Sequence, residues 1–231
     1  VKESGLIFNR EMVRAILNGT KTMTRRIMKK QPPDGWYPVG TRDVADTVAR
    51  TYTKGVIDRH GCLQAGPEVF GVADDTWGAV SPCGRPGDRI WVRETFGQKI
   101  RSVGGCPHES YAYRASEPNA ARCYDCNGRE LPMKWTPSIH MPRKAARILL
   151  DITEVRAERL NDISEADAEA EGIDFLRHIP DADETISARQ LFEFLWVSIY
   201  GQESWDSNPW VWVYPFKVLA TAQQGAAKEP A

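Results

Sequence analysis

The stretch from Leu17 to Arg26, Leu-Asn-Gly-Thr-Lys-Thr-Met-Thr-Arg-Arg, constrains this chain most. Before it, Met12, Val13, Ile16 and Leu17 recur at helical spacing and form one apolar stripe, with Asn9 placed to cap the helix N-terminus. Gly19 ends that helix, because glycine takes the left-handed conformation past a helix end at little cost. The Thr-rich residues that follow predict a strand. Side chains alternate faces along a strand, so Thr22, Thr24 and Arg26 would share one face, with Lys21 at its mouth. An ammonium, hydroxyls and a guanidinium so close together suit an anionic or carbonyl-bearing ligand. A solvated basic strand start fits the same residues, since runs of charge commonly mark solvated faces.

At 231 residues the chain can bury a proper core as one decorated domain. Its 42% hydrophobic and 26% charged residues are ordinary for a globular protein. No apolar run approaches the roughly 20 residues that span a bilayer, and the first residues lack the apolar core of a signal peptide. A cytoplasmic protein with no membrane partner is the expectation. The net charge of −1 argues against strong, sequence-blind binding to long duplex nucleic acid. A local patch of Arg25, Arg26, Lys29 and Lys30 could still hold one phosphate or a short strand. Most of the eight tryptophans should serve core packing, and one or two near a site could stack on a base.

Residues 27–88 are rich in Pro, Gly, Asp and Arg, and predict hairpins and loops with short β-like pieces at Thr51–Thr53 and Val56–Ile57. Gly87-Asp88 turns into a strong strand, Arg89 to Phe96. Residues 100–135 read as an inserted, Cys-rich loop or small knuckle. Ala146 to Val155 is a strand with a buried middle, and Ser164 caps a short acidic helix that ends at Gly172. A longer helix, about Ser187 to Tyr200, turns Leu191, Phe192, Leu195, Trp196 and Ile199 toward the core. The strand Val211 to Leu219 closes the order, and residues 220–231 predict a disordered tail. The whole is α+β: one domain over 1–219 with an insertion at about 100–135, fitting a small β-barrel with helices packed at its ends.

Gly-x-Lys-Thr-x-Thr-x-Arg, Gly19 to Arg26, resembles the signature of the ASCH domain, a PUA-like β-barrel linked to RNA and modified nucleosides. Pro86 to Phe96, Pro137 to Pro142, Ile163 to Ile173 and Asn208 to Val213 are similar to blocks in the larger ASCH proteins of bacteriophages and prophages. With the motif, these blocks spread the resemblance over residues 7–219. The small bacterial ASCH enzymes hydrolyse acetylated cytidine with a lysine, a threonine and a glutamate. The resemblance therefore implies Lys21, Thr24 and Glu171 as a catalytic set, Glu171 coming from Ala168-Glu-Ala-Glu-Gly172. Thr24 would attack the amide carbonyl, Lys21 would take its proton, Glu171 would position water or shuttle a proton, and Arg26 would hold the ligand or the oxyanion. The implied ligand is RNA or a modified nucleoside. A non-catalytic RNA- or modified-base-binding module and a ribonuclease are the alternatives.

Three further groups stand out. Glu94 would face inward on its strand with Val92, and so needs a partner such as Arg25 or Arg26. His140 lies in a Pro-bounded loop that could line the site, beside Ser138 but with no assigned acid. Cys106, His108, Cys123 and Cys126 could close a tetrahedral structural zinc site, since a small loop without its own core gains from a metal. No cofactor is expected for catalysis.

Overall fold

The computed structural model describes residues 1–37, 48–74, 76–103, 106–124, 128–177 and 186–221. In chain order its elements are β1 (Glu3–Ile7), α1 (Arg10–Leu17), β2 (Met23–Ile27), β3 (Arg50–Ile57), β4 (Leu63–Ala73), β5 (Gly78–Val80), β6 (Arg89–Arg93), β7 (Phe96–Val103) and β8 (Cys106–Tyr113). Then follow β9 (Ala121–Tyr124), β10 (Glu130–Pro132), β11 (Trp135–Thr136), β12 (Ile148–Ile152), β13 (Arg156–Arg159), α2 (Glu165–Ala170), α3 (Ala188–Tyr200), α4 (Gln202–Asp206) and β14 (Trp210–Thr221). The architecture is mixed α+β, mostly strand, around a curled half-barrel sheet. No described helix is long and apolar enough to cross a membrane.

The half-barrel is organised by β14. Its first half pairs with β13 on one edge and β2 on the other, and its second half pairs with β12. From β12 the sheet continues to β6 and then to β1, which runs parallel to β6. Trp210, Val211, Trp212, Val213 and Tyr214 are all buried, so this strand has protein on both faces and reads as a continuous apolar run. The curl brings the outer strands β1 and β2 toward each other. Arg26 on β2 donates to the Ile7 carbonyl at 2.8 Å and lies over the Phe8 ring at 5.0 Å.

The helices start and stop where local chemistry requires. Asn9 accepts from the Met12 amide at 2.8 Å to cap α1, and Gly19 follows with a positive φ of 79°. Ser164 caps α2, and Ser187 forms a reciprocal capping box with Gln190 at the start of α3. Leu191, Phe192, Leu195 and Trp196 are buried as the stripe predicts, but Ile199 is 45% exposed. The last turn of α3 runs past the core.

Two regions are more ordered than the sequence suggests. Within 27–88 the expected hairpins are present as β3, β4 and β5, a three-stranded antiparallel sheet, but the strands are longer than the short pieces expected, β4 running for eleven residues. Gly66 and Pro67 argue against a strand, yet they sit opposite Lys54 at a register shift, where no ladder amide is needed. The described residues of 100–135 are largely β structure rather than loop. The hairpin of β7 and β8 is flanked by β11, while β9 pairs with β10. Phe96, Tyr113, Met141 and Ala145 form a small buried cluster beneath it. The tail from 222 onward lies outside the described residues, and Ala220 and Thr221 belong to β14.

Candidate functional site

The α1–β2 junction and the end of α2 are pressed together. The Thr20 and Lys21 amides both donate to the Ala15 carbonyl, at 2.9 and 3.0 Å. The Thr22 amide reaches the Ala170 carbonyl at 2.8 Å, and Lys21 and Glu171 form an antiparallel bridge. Gly172 permits this approach. Its φ is +75°, and a Cβ there would lie 2.6 Å from Lys21 Cβ and 2.9 Å from Ala15 Cβ.

Across this contact Lys21 Nζ donates to Glu171 Oε2 at 2.6 Å and to the Glu171 carbonyl at 2.7 Å. Both side chains are sealed, at 0% and 4% exposure. The sequence puts Lys21 at the mouth of a strand; in the fold it is at the bottom. Burial pushes the Lys21 ammonium below its ordinary pKa, against the opposing pull of Glu171.

Arg25 extends the network. It donates to Glu171 Oε1 at 3.3 Å, Glu158 at 3.1 Å and Asp167 at 2.7 Å. Arg156 bonds Asp167 at 2.8 Å. Burial alone would depress the Arg25 pKa, but Glu171, Glu158 and Asp167 outweigh it and hold the guanidinium above its usual value. Lys21, Arg25 and Arg156 thus balance Glu158, Asp167 and Glu171. Arg25 is a buried organiser of this network, whereas the sequence suggests a ligand-binding surface arginine.

A cleft opens above the pair. Thr24, Arg25, Arg26, Glu171, Phe192 and Trp196 border a floor cavity of about 20 Å³, room for about one water. Thr24 is 1% exposed, and its hydroxyl makes no hydrogen bond to the described residues. The floor shares Met12, Arg26, Ile199 and Tyr200 with an outer cavity of about 390 Å³ that Asn9 and Arg93 also line. That volume is in the range of small-ligand pockets. Arg25 and Arg93 each leave a buried Nε without an acceptor among the described residues, a cost that a bound acceptor would remove.

Thr24, Arg25, Arg26 and Glu171 therefore border one cleft, and Lys21 lies beneath it, joined through Glu171 from 150 residues away. Glu94 does not join them. It is buried elsewhere and held by Arg147, at 2.8 and 3.0 Å, instead of by Arg25 or Arg26. Burial raises its pKa, with Arg147 opposing. His140 is exposed on the Ser138–His140 turn and lines neither cavity of the cleft. Its loop meets the mouth through Arg93, which donates to the Ile139 carbonyl.

The proposed zinc ligands are only partly visible. Cys126 and the side chains of Cys106 and His108 lie outside the described residues. Cys123 is a free thiol on β9. Among the described residues no group of three or more His, Cys, Asp or Glu side chains is placed to hold a metal ion.

Sequence reasoning missed Arg93 and Tyr200 at the cleft and assigned Ile199 to the core. A signal for Tyr200 existed: it follows Trp196 by four residues, and the two rings are 4.5 Å apart. No known family profile matches the chain, and no curated protein or solved structure matches it significantly.

Proposed function

We propose that the protein acts on a modified nucleoside, free or within RNA, and hydrolyses an acyl amide on its base. The observation that carries this reading is the sealed Lys21–Glu171 pair beneath a cleft whose floor Thr24 also borders. The outer cavity has room for a nucleoside, Tyr200 offers it an aromatic face, and the floor admits only a small group. An acyl carbonyl reaching that floor meets the Thr24 hydroxyl. Attack by Thr24 Oγ forms an ester and needs an acceptor for its proton. Lys21 accepts in its amine form, which its burial favours. The same proton then leaves with the departing base amine. Water, oriented by Glu171, cleaves the ester to acid and free hydroxyl. Arg26 and the Arg25 Nε, which has no acceptor among the described residues, are the donors available to the developing oxyanion.

A second reading has its own support. Lys21 and Glu171 satisfy one another so fully that the pair can serve as a structural floor for a base-binding module without turnover. Incubating the protein with acetylcytidine and with short RNAs separates the readings. Release of cytidine and acetate is the expected result, and Thr24→Val should lower it at least ~100-fold with unchanged thermal stability. Saturable binding without products leaves the module, and shortened RNA would mean a nuclease.

A further inference from the structure

A second cavity, of about 120 Å³, lies on the other side of the β1–α1 turn and is lined by Arg10, Glu94, Thr95, Arg114 and Ala115. The two sites are neighbours through the chain. Asn9 borders the first and Arg10 the second, and Arg93 borders the first and Glu94 the second. The Phe8 amide bonds the Arg93 carbonyl at 3.1 Å, which fixes the wall between them.

The charges in this cavity do not balance. Its carboxylate, Glu94, is 2% exposed and fully engaged by the two-pronged bond from Arg147. Arg147 is itself held over the Tyr113 ring at 4.2 Å. Arg10 and Arg114 make no side-chain hydrogen bond, ion pair or ring contact with the described residues. Three guanidiniums against one carboxylate leave a surplus of two positive charges. The walls are set in place: the Arg114 amide bonds the Thr95 carbonyl at 3.0 Å, and Arg14 Nε bonds the Ala115 carbonyl at 2.8 Å. Thr95 adds a hydroxyl. The volume is about four waters at ~30 Å³ each, enough for a phosphoryl group.

We propose that this cavity binds a phosphomonoester dianion, clasped by Arg10 and Arg114 with Glu94 and Arg147 forming its rigid back wall. Two guanidiniums without a partner among the described residues suit the oxygens of a phosphate through paired N–H donors. A double surplus matches a terminal monoester better than a singly charged backbone diester. The site is independent of the proposed hydrolysis, so either can fail without the other.

Titration calorimetry on the intact protein at fixed ionic strength tests it with inorganic phosphate, cytidine 5′-monophosphate, and one short RNA carrying either a 5′-phosphate or a 5′-hydroxyl. Phosphate should bind in preference to chloride. Arg10→Ala with Arg114→Ala should weaken it at least tenfold without lowering the phosphate-free melting temperature, because neither side chain has a partner to lose among the described residues. Glu94→Gln should tighten binding, since it removes the negative charge and frees Arg147. A preference for the nucleotide over both RNAs assigns the site to a small ligand, and a gain from the 5′-phosphate assigns it to an RNA end. Phosphate binding unchanged in the double variant, or no binding to the parent at 10 mM (about 2.7 kcal/mol at 25 °C), overturns the proposal.

Discussion

Lys21 grips Glu171 twice, by the carboxylate at 2.6 Å and by the main-chain carbonyl at 2.7 Å. The first bond neutralises a buried charge. The second fixes the backbone that presents it, so the ammonium also acts as a clamp between the start of β2 and the end of α2.

Removing one partner of such a pair strands the other. Lys21→Met leaves Glu171 buried with Arg25 at 3.3 Å as its remaining cation, and should cost about 3 kcal/mol. Adding Glu171→Gln should recover part of that loss. Urea unfolding of the single and double variants measures both effects, and a loss under ~1 kcal/mol would mean the pair behaves as if solvated.

Gly172→Ala should be costly from backbone and packing together. A side chain at φ +75° is strained, and its Cβ would press on Lys21 and Ala15. A loss of about 2–4 kcal/mol is expected. Any ligand binding at the cleft should weaken with it, because relief of the clash moves Glu171. Stability equal to the parent would show that the junction is looser than its contacts imply.

Arg26→Leu should unlatch the seam between β1 and β2. It removes the bond to the Ile7 carbonyl and the stacking on Phe8, worth about 2 kcal/mol together. Hydrogen exchange should speed up at β1 and β2 amides while β12 stays protected. Uniform acceleration across the sheet would instead indicate global destabilisation.

Tyr113 supplies an alkaline signature. Its hydroxyl donates to the Ala145 carbonyl at 2.9 Å, and burial pushes its pKa from 10.0 up to about 12, with Arg147 partly opposing. The folded state therefore holds this proton more tightly than the unfolded state does. That contribution is complete below pH 10 and is lost as pH rises toward about 12. The stability gap between the parent and Tyr113→Phe should shrink across that window; a constant gap would refute the shift.

What could be read from the residues was local. Asn9, Gly19, Ser164 and Ser187 mark helix ends because capping needs only the next three or four residues. The expectation that Thr24 and Glu171 share a site comes from a resemblance, since no local pattern in the sequence encodes the approach seen in the fold. Glu94 shows the limit. Strand alternation says that it faces inward, but its partner Arg147 comes from 53 residues away, and only the folded sheet selects it. The Gly66-Pro67 pair misleads for a related reason: a register shift hides inside a pattern that locally resembles a turn.

The position of β14 in the sheet also sets an order of events during synthesis. Strands β2, β12 and β13 all hydrogen-bond to residues 210–221, so until that stretch leaves the ribosome none of them has its main neighbour. At roughly 5–20 residues per second, β2 waits some ten seconds or more as an unpaired edge, its apolar flank uncovered. The hairpin of β7 and β8 needs no such delay, because its two strands are adjacent in the chain. A nascent chain stopped before Trp210 should therefore carry a folded hairpin on an open sheet, and lean on a chaperone until its last partner arrives.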